Sequence, residues 1–118
     1  MSPNLDVAAL VKRQLTEDEV AHGLVYVAES ALSAGTHFDF PKVHLDVPWE
    51  AFLVFVDREP TANWSHSCRY LLVRSTNGEV KSIEAQLPPF GRESLRWRVL
   101  YRAPSVPSAL SSVPQSLP

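Results

Sequence analysis

Residues 67–87, "SCRYLLVRSTNGEVKSIEAQL", decide the fold of this chain. Two strand-like runs, 67–75 and 79–87, lie on either side of Thr76-Asn77-Gly78. Asn-Gly between such runs is the strongest short signal for a hairpin, because a type I′ turn needs two residues that tolerate positive φ. The stretch therefore predicts an antiparallel β-hairpin.

Three further strands are predicted around this hairpin. The run "EAFLVFVD" (50–57) is apolar on both faces, which is typical of a strand covered on both sides in the middle of a sheet. The run "VHLDV" (43–47) alternates and ends at Pro48, and "SLRWRVLYRA" (94–103) predicts the last strand. Together these runs predict an antiparallel sheet of about five strands.

Two helices are predicted before the strands. The segment "NLDVAALVKRQL" (4–15) indicates a short helix for which Asn4 can serve as the N-cap. Thr16, followed three residues later by Glu19, forms the pattern of a capping box, in which each side chain satisfies the other residue's backbone N–H. The box therefore predicts where a second helix begins.

The second helix is expected to be long. Apolar residues recur at helical spacing after the capping box, and Gly35 stands where a left-handed C-terminal cap would end the helix. The members of this stripe are Val20, Leu24, Val27 and Ala31. The alternative is that "HGLVYVAES" (22–30) forms a strand, since Gly23 inside a helix costs about 1 kcal/mol against Ala. We favour the helix because both caps agree.

The predicted class is α+β, with one or two N-terminal helices packed on a curled antiparallel sheet. A single domain is expected over 1–103, followed by a flexible Pro/Ser-rich tail at 104–118. The element order resembles that of cystatin-like and nuclear-transport-factor-like folds. This likeness concerns topology alone, and such folds host many functions.

Composition excludes several classes of protein. The chain has 118 residues, 45% apolar and 20% charged, with a formal net charge of −2, so no global field would recruit nucleic acid. No apolar run approaches the roughly 20 residues of a membrane span, and the N-terminus has no signal-peptide pattern. A single cysteine cannot form an internal disulfide, which favours the reducing cytoplasm.

One candidate site is catalytic. In "TANWSHSCRYLLV" (61–73), Cys68 could serve as nucleophile and His66 as its base, with Asp57 orienting the imidazole. On one strand face the Cα atoms of Cys68 and His66 would be about 6.5–7 Å apart, so their side chains could only just meet. The alternative is a half-buried thiol that behaves as a small apolar residue.

A metal site is weakly supported by the sequence. His66 and Cys68 could supply two ligands, and His44 or His37 a third, but structural zinc sites usually need four ligands in paired clusters. We therefore predict no metal and no cofactor.

The binding hypothesis requires less. The loop 59–70 carries Asn63, Trp64, His66 and Arg69, and aromatic residues beside arginine are enriched in protein interfaces. A basic stripe is also predicted, in which Arg96 and Arg98 lie on the outer sheet face and Arg102 shares their parity. The basic residues of neighbouring elements are Lys81, Arg69, Arg74 and Arg92. The alternative is an ordinary solvated sheet face.

The sequence thus favours a small soluble binding or accessory module that acts through this loop, the basic face or an exposed sheet edge. A protein partner or self-association is expected, without membrane or nucleic acid. A small-molecule ligand stays open. The alternative is a small enzyme, either a Cys68/His66 hydrolase or a ligand-pocket enzyme on a concave sheet.

Overall fold

The computed structural model of the chain describes residues 6–40, 43–60, 67–85 and 96–106. Its elements are α1 (Val7–Gln14), α2 (Glu17–His22), β1 (Leu24–Ala28), β2 (His37–Phe40), β3 (Val43–Asp46), β4 (Ala51–Asp57), β5 (Cys68–Arg74), β6 (Val80–Ala85) and β7 (Trp97–Arg102). An antiparallel sheet of five strands has the order β6-β5-β4-β1-β7, and β2 and β3 form a separate ribbon. The predicted α+β class is confirmed.

The predicted hairpin is present as β5 and β6, which pair from Cys68↔Ala85 to Val73↔Val80. Its connection is longer than a two-residue turn, because the N–H of Arg74 bonds to the carbonyl of Glu79 and the N–H of Gly78 bonds back to the carbonyl of Arg74. Gly78 has a φ of 77°, the left-handed region that a residue without Cβ adopts readily. The Asn-Gly signal therefore located the turn correctly.

The central strand β4 is apolar on both faces, as predicted. We call one face of the main sheet the ribbon face, because Leu45 and Val47 from the β3 region pack there. The other is the helix face, where Val11 of α1 packs. Leu53 of β4 belongs to the ribbon face and Val54 to the helix face, and both are completely buried.

The long helix predicted from residue 17 onward is wrong. The capping box of Thr16 and Glu19 is confirmed, but α2 ends at His22, and the next residues form β1 between β4 and β7. All five residues of β1 are buried, because their side chains point alternately into the two apolar layers on either side of the sheet. The apolar residues that suggested a helix belong instead to a strand that contributes side chains to both apolar layers.

Gly35 is not a helix cap either. Its φ of 88° serves a turn before β2, in which its N–H bonds to the carbonyl of Val47. The expected fifth strand "VHLDV" lies in the ribbon instead of the main sheet, and β1 takes its place. The first residues of the predicted tail pack on the domain, where Val106 is 4% exposed; residues 107–118 lie outside the described residues.

No helix among the described residues is long and apolar enough to cross a membrane.

Candidate functional site

The candidate site lies at the end of the sheet where β4 ends and β5 begins. Asp57 and Cys68 are directly opposite each other in the β4–β5 register, on the ribbon face. Cys68 is completely buried and Asp57 is 5% exposed. The Oδ1 atom of Asp57 accepts a hydrogen bond from the backbone N–H of Glu59 at 2.9 Å. Two of the three predicted catalytic residues are therefore neighbours.

The environment of Cys68 opposes a role as nucleophile. Burial, reinforced by the negative charge of Asp57, raises the pKa of the thiol to about 12. The thiolate is the reactive form of cysteine, and reactive cysteines usually have a lowered pKa. His66, the predicted base, lies outside the described residues.

Hydrogen bonds join the two ends of the segment that connects β4 to β5. The N–H of Arg58 donates to the carbonyl of Ser67 at 3.0 Å, and the N–H of Ser67 donates to Glu59 Oε1 at 2.8 Å. The guanidinium of Arg58 also reaches Ser67 Oγ at 3.3 Å. The predicted contact residues Asn63 and Trp64 lie between these two ends, outside the described residues. The ends themselves are held together by three hydrogen bonds.

Four charged side chains at this end of the sheet form what we call the charge cluster: Glu19, Arg58, Arg69 and Glu84. The carboxylate of Glu19, completely buried, accepts hydrogen bonds from Arg69 Nε at 2.9 Å, Arg69 Nη2 at 2.8 Å and Arg58 Nε at 2.7 Å. Arg58 also holds Glu84 at two points, at 2.7 and 3.0 Å. The two positive and two negative charges balance; Glu19 and Arg69 are buried, whereas 69% of the Glu84 side chain is exposed. Pairing is required for the buried members.

Arg69 connects several elements through this cluster. Its Nη2 donates to the backbone carbonyl of Gln14 at 2.7 Å and its Nη1 to Ser82 Oγ at 3.2 Å. Only 10% of its side chain is exposed. The residue expected to contact a partner therefore ties α1 and α2 to β5 and β6, and its guanidinium is not displayed at the surface.

The cluster shifts the pKa values of its acids. Burial acts to raise the pKa of Glu19, but the backbone hydrogen bond from Thr16 and the bonds from Arg69 and Arg58 outweigh it, so the pKa lies below its ordinary value. The hydrogen bonds from Arg58 likewise lower the pKa of Glu84. Both carboxylates are thus held in the charged form.

Sequence reasoning missed Arg58 and Glu84, and it found only one role of Glu19. The capping box pointed to Glu19 because its partner Thr16 is three residues away. Its arginine partners lie 39 and 50 positions along the chain. An isolated Glu at helix position N3 gives no sign of such partners, so no local signal could have found them.

The predicted basic stripe is not a continuous surface. β6 and β7 are the two opposite edges of the main sheet, so three strands lie between Lys81 and the arginines of β7. Arg98 pairs with Val27 on the helix face, whereas Arg102 pairs with Leu24 on the ribbon face, because the register shifts between Val25 and Tyr26.

The remaining members of the predicted stripe do not restore it. Arg69 is in the charge cluster, and Arg74 pairs with Glu79 at 3.6 Å. Arg92 lies outside the described residues. The basic residues of the stripe that the structure describes therefore do not share one face of the sheet.

Comparison with protein-family models, with curated proteins and with solved structures yields no match for this chain. The resemblance in element order to cystatin-like and nuclear-transport-factor-like folds stays a prediction. Among the side chains that the structure describes, no group of three or more His, Cys, Asp or Glu residues is arranged to hold a metal ion.

Proposed function

We propose that this chain is a binding or accessory module that contacts a protein partner through the segment 59–70. The observation that carries the proposal is the set of hydrogen bonds among Arg58, Glu59 and Ser67, which hold the two ends of this segment together. Binding residues are commonly found on connections that a rigid scaffold positions. Trp64, with its large apolar surface, is the proposed anchor, and Asn63 and His66 are the proposed polar contacts.

The charge cluster supports the same proposal. Arg58 takes part both in the hydrogen bonds that join the ends of the segment and in the charge cluster. It therefore connects the start of the segment to Glu19 of α2 and Glu84 of β6. Binding costs less conformational entropy when the contact residues are held in place beforehand. In this proposal Arg69 is a positioning residue, and the surface contacts come from its neighbours in the chain. The lone cysteine agrees with a module that acts in the reducing cytoplasm.

Photo-crosslinking tests this proposal. A photoreactive amino acid at position 64 should give a covalent adduct with a protein partner in the native host cells. The matched variant carries the same amino acid at Thr76, an exposed residue at the other end of β5. An adduct at position 64 that Asn63→Ala and His66→Ala reduce would support the proposal, whereas equal adducts at both positions, or none at position 64, would refute it.

A hydrolase that uses Cys68 and His66 is the alternative, favoured by the position of Asp57 directly opposite Cys68. Thiol labelling with iodoacetamide distinguishes it from the binding module. A catalytic thiolate would be alkylated in the native protein at pH 6, well below the ordinary thiol pKa of about 8.5. We expect no labelling at that pH, because burial raises the pKa of Cys68 to about 12. Rapid native labelling at pH 6 would favour the hydrolase.

A further inference from the structure

The β2–β3 ribbon carries two histidines on one face. In its antiparallel register His37 lies opposite Asp46, and His44 lies opposite Asp39. Residues directly opposite each other share a face, as do residues two apart on one strand. The ribbon therefore places two imidazole-bearing and two carboxylate-bearing residues together, outside the charge cluster and the segment 59–70.

His37 already has the contact that orients a metal-binding imidazole. Its Nδ1 atom lies 2.5 Å from Asp46 Oδ1, and an ionised carboxylate only accepts hydrogen bonds, so Nδ1 is the donor. Histidines that bind metals almost always donate their other ring N–H to such a group, which sets the tautomer and the ring orientation. Asp46 therefore directs Nε2 of His37 to act as the electron-pair donor.

His44 is close enough to provide the second ligand. The ring centroids of His37 and His44 are 6.3 Å apart. Imidazole nitrogens bind zinc at about 2.0–2.1 Å, so two nitrogens on one ion lie roughly 3–4 Å from each other. Both histidines are exposed on the ribbon, and rotation of their side chains can bring the nitrogens to that separation.

We propose that His37 and His44 together bind a divalent transition-metal ion of the zinc class. Asp46 acts as a positioning residue through Nδ1 of His37, and water completes the coordination. Asp39 occupies the register position opposite His44. The site has two protein ligands from the described side chains, fewer than structural zinc sites, so it belongs to the exposed, exchangeable kind.

The ligand types determine which ions fit. Imidazole suits Zn²⁺, Ni²⁺ and Cu²⁺, whereas Mg²⁺ and Ca²⁺ prefer sets of oxygen ligands. Because the two histidines are on different strands, a bound ion would link β2 to β3. Imidazole binds metal in its deprotonated form, so metal binding should be weaker in acid than at neutral pH.

Isothermal titration of the full chain with Ni²⁺ and Zn²⁺ tests the proposal. We expect saturable binding of one ion, weakened at least tenfold by His37→Gln or His44→Gln. Asp46→Asn should weaken it by about tenfold, the usual cost of losing the partner of a ligating histidine. These substitutions replace exposed side chains, and circular dichroism would verify that the variants fold.

Two controls make the result decisive. His22→Gln removes another exposed histidine, at the end of α2, and should leave the affinity unchanged. His66→Gln tests the competing pair of His66 and Cys68. In the wild type, Zn²⁺ but not Mg²⁺ should raise the melting temperature, because only the folded ribbon brings the ligands together. The proposal is overturned by an affinity that the ribbon variants do not change, by loss of binding in His66→Gln alone, or by no saturable binding up to about 1 mM, the weak end of measured affinities.

Discussion

The contact between Arg69 and Glu19 shows that a residue's environment decides its role. In the sequence Arg69 follows Trp64, His66 and Cys68, and these neighbouring residue types suggest that Arg69 is an exposed contact residue. Strand alternation instead turns its side chain to the helix face, where Glu19 accepts two of its hydrogen bonds. The same alternation turns Cys68 to the ribbon face, where burial raises its pKa to about 12.

Arg69→Met should lower the free energy of unfolding by about 3–5 kcal/mol, because Glu19 would remain buried and charged with part of its hydrogen bonding lost. Urea denaturation at pH 7 measures this loss. The matched control is Arg98→Met, which removes an exposed arginine from β7 and should change the stability by no more than about 0.5 kcal/mol. Similar small losses in the two variants would show that the charge cluster contributes little.

At the scale of elements, Gly23 marks the point where helix becomes strand. Its N–H bonds to the carbonyl of Glu19, which ends α2, and Leu24 begins β1. A Cβ on residue 23 would lie 2.4 Å from the backbone oxygen of Glu19. The short helix and the strand therefore meet so closely that only glycine fits between them without movement.

Gly23→Ala distinguishes this arrangement from a continuous helix by the sign of its effect. In a helix running through residue 23, alanine would stabilise the protein by about 1 kcal/mol. In the observed structure it should destabilise the protein by roughly 1–3 kcal/mol, the range of overpacked sites.

Thermal unfolding of Gly23→Ala and of Gly35→Ala measures the effect and controls for it. No heavy atom lies within 4 Å of a Cβ at Gly35, so its cost should come from the φ of 88° alone. Replacing it by asparagine should therefore recover part of the stability, while a larger side chain at position 23 should make the loss greater.

At the scale of the whole molecule, the free energy of unfolding depends on pH, because several groups have different pKa values in the folded and the unfolded chain. The pKa values of Glu19 and Glu84 are lowered by hydrogen bonds formed only in the folded chain, although burial of Glu19 opposes this. The pKa values of Cys68 and Tyr26 are raised to about 12, mainly by burial. The folded state therefore takes up protons less readily than the unfolded state in acid and loses them less readily in alkali.

Stability should consequently fall at both extremes of pH. The lowered pKa values of Glu19 and Glu84 contribute stability above their ordinary value of 4.5, and this contribution is lost as the pH falls below it. The raised pKa of Cys68 has the opposite sign, so stability should decline as the pH rises above the ordinary thiol pKa of about 8.5 toward 12. Urea midpoints measured from pH 3 to pH 11 check both arms.

Two variants test which ionisable groups cause the loss of stability at acid pH (the acid arm) and at alkaline pH (the alkaline arm). Arg69→Met should flatten the acid arm, because Glu19 would lose hydrogen bonds that lower its pKa. Cys68→Ala should make the alkaline arm shallower without abolishing it, since Tyr26 would still ionise more readily in the unfolded chain. Unchanged slopes in both variants would mean that other groups govern the pH dependence.

Local patterns in the sequence determined the elements whose signals are local. Asn77-Gly78 predicted the hairpin, the apolar run of β4 predicted a strand buried on both faces, and Thr16 with Glu19 predicted the capping box. Each of these signals depends on residues a few positions apart, so the physical cause lies within the pattern itself. The catalytic, binding and metal hypotheses had weaker support, because the residues that would complete each set are distant in the chain.

Only the tertiary structure decided the identity of residues 24–28 and the role of Arg69. The run Leu24–Ala28 has apolar side chains that suit a helix stripe or a doubly buried strand, and its place between β4 and β7 selects the strand. The partner of Arg69 is 50 positions away, and burial in the folded chain makes their pairing necessary. Such choices depend on which surfaces meet after folding, and no stretch of the sequence contains that information alone.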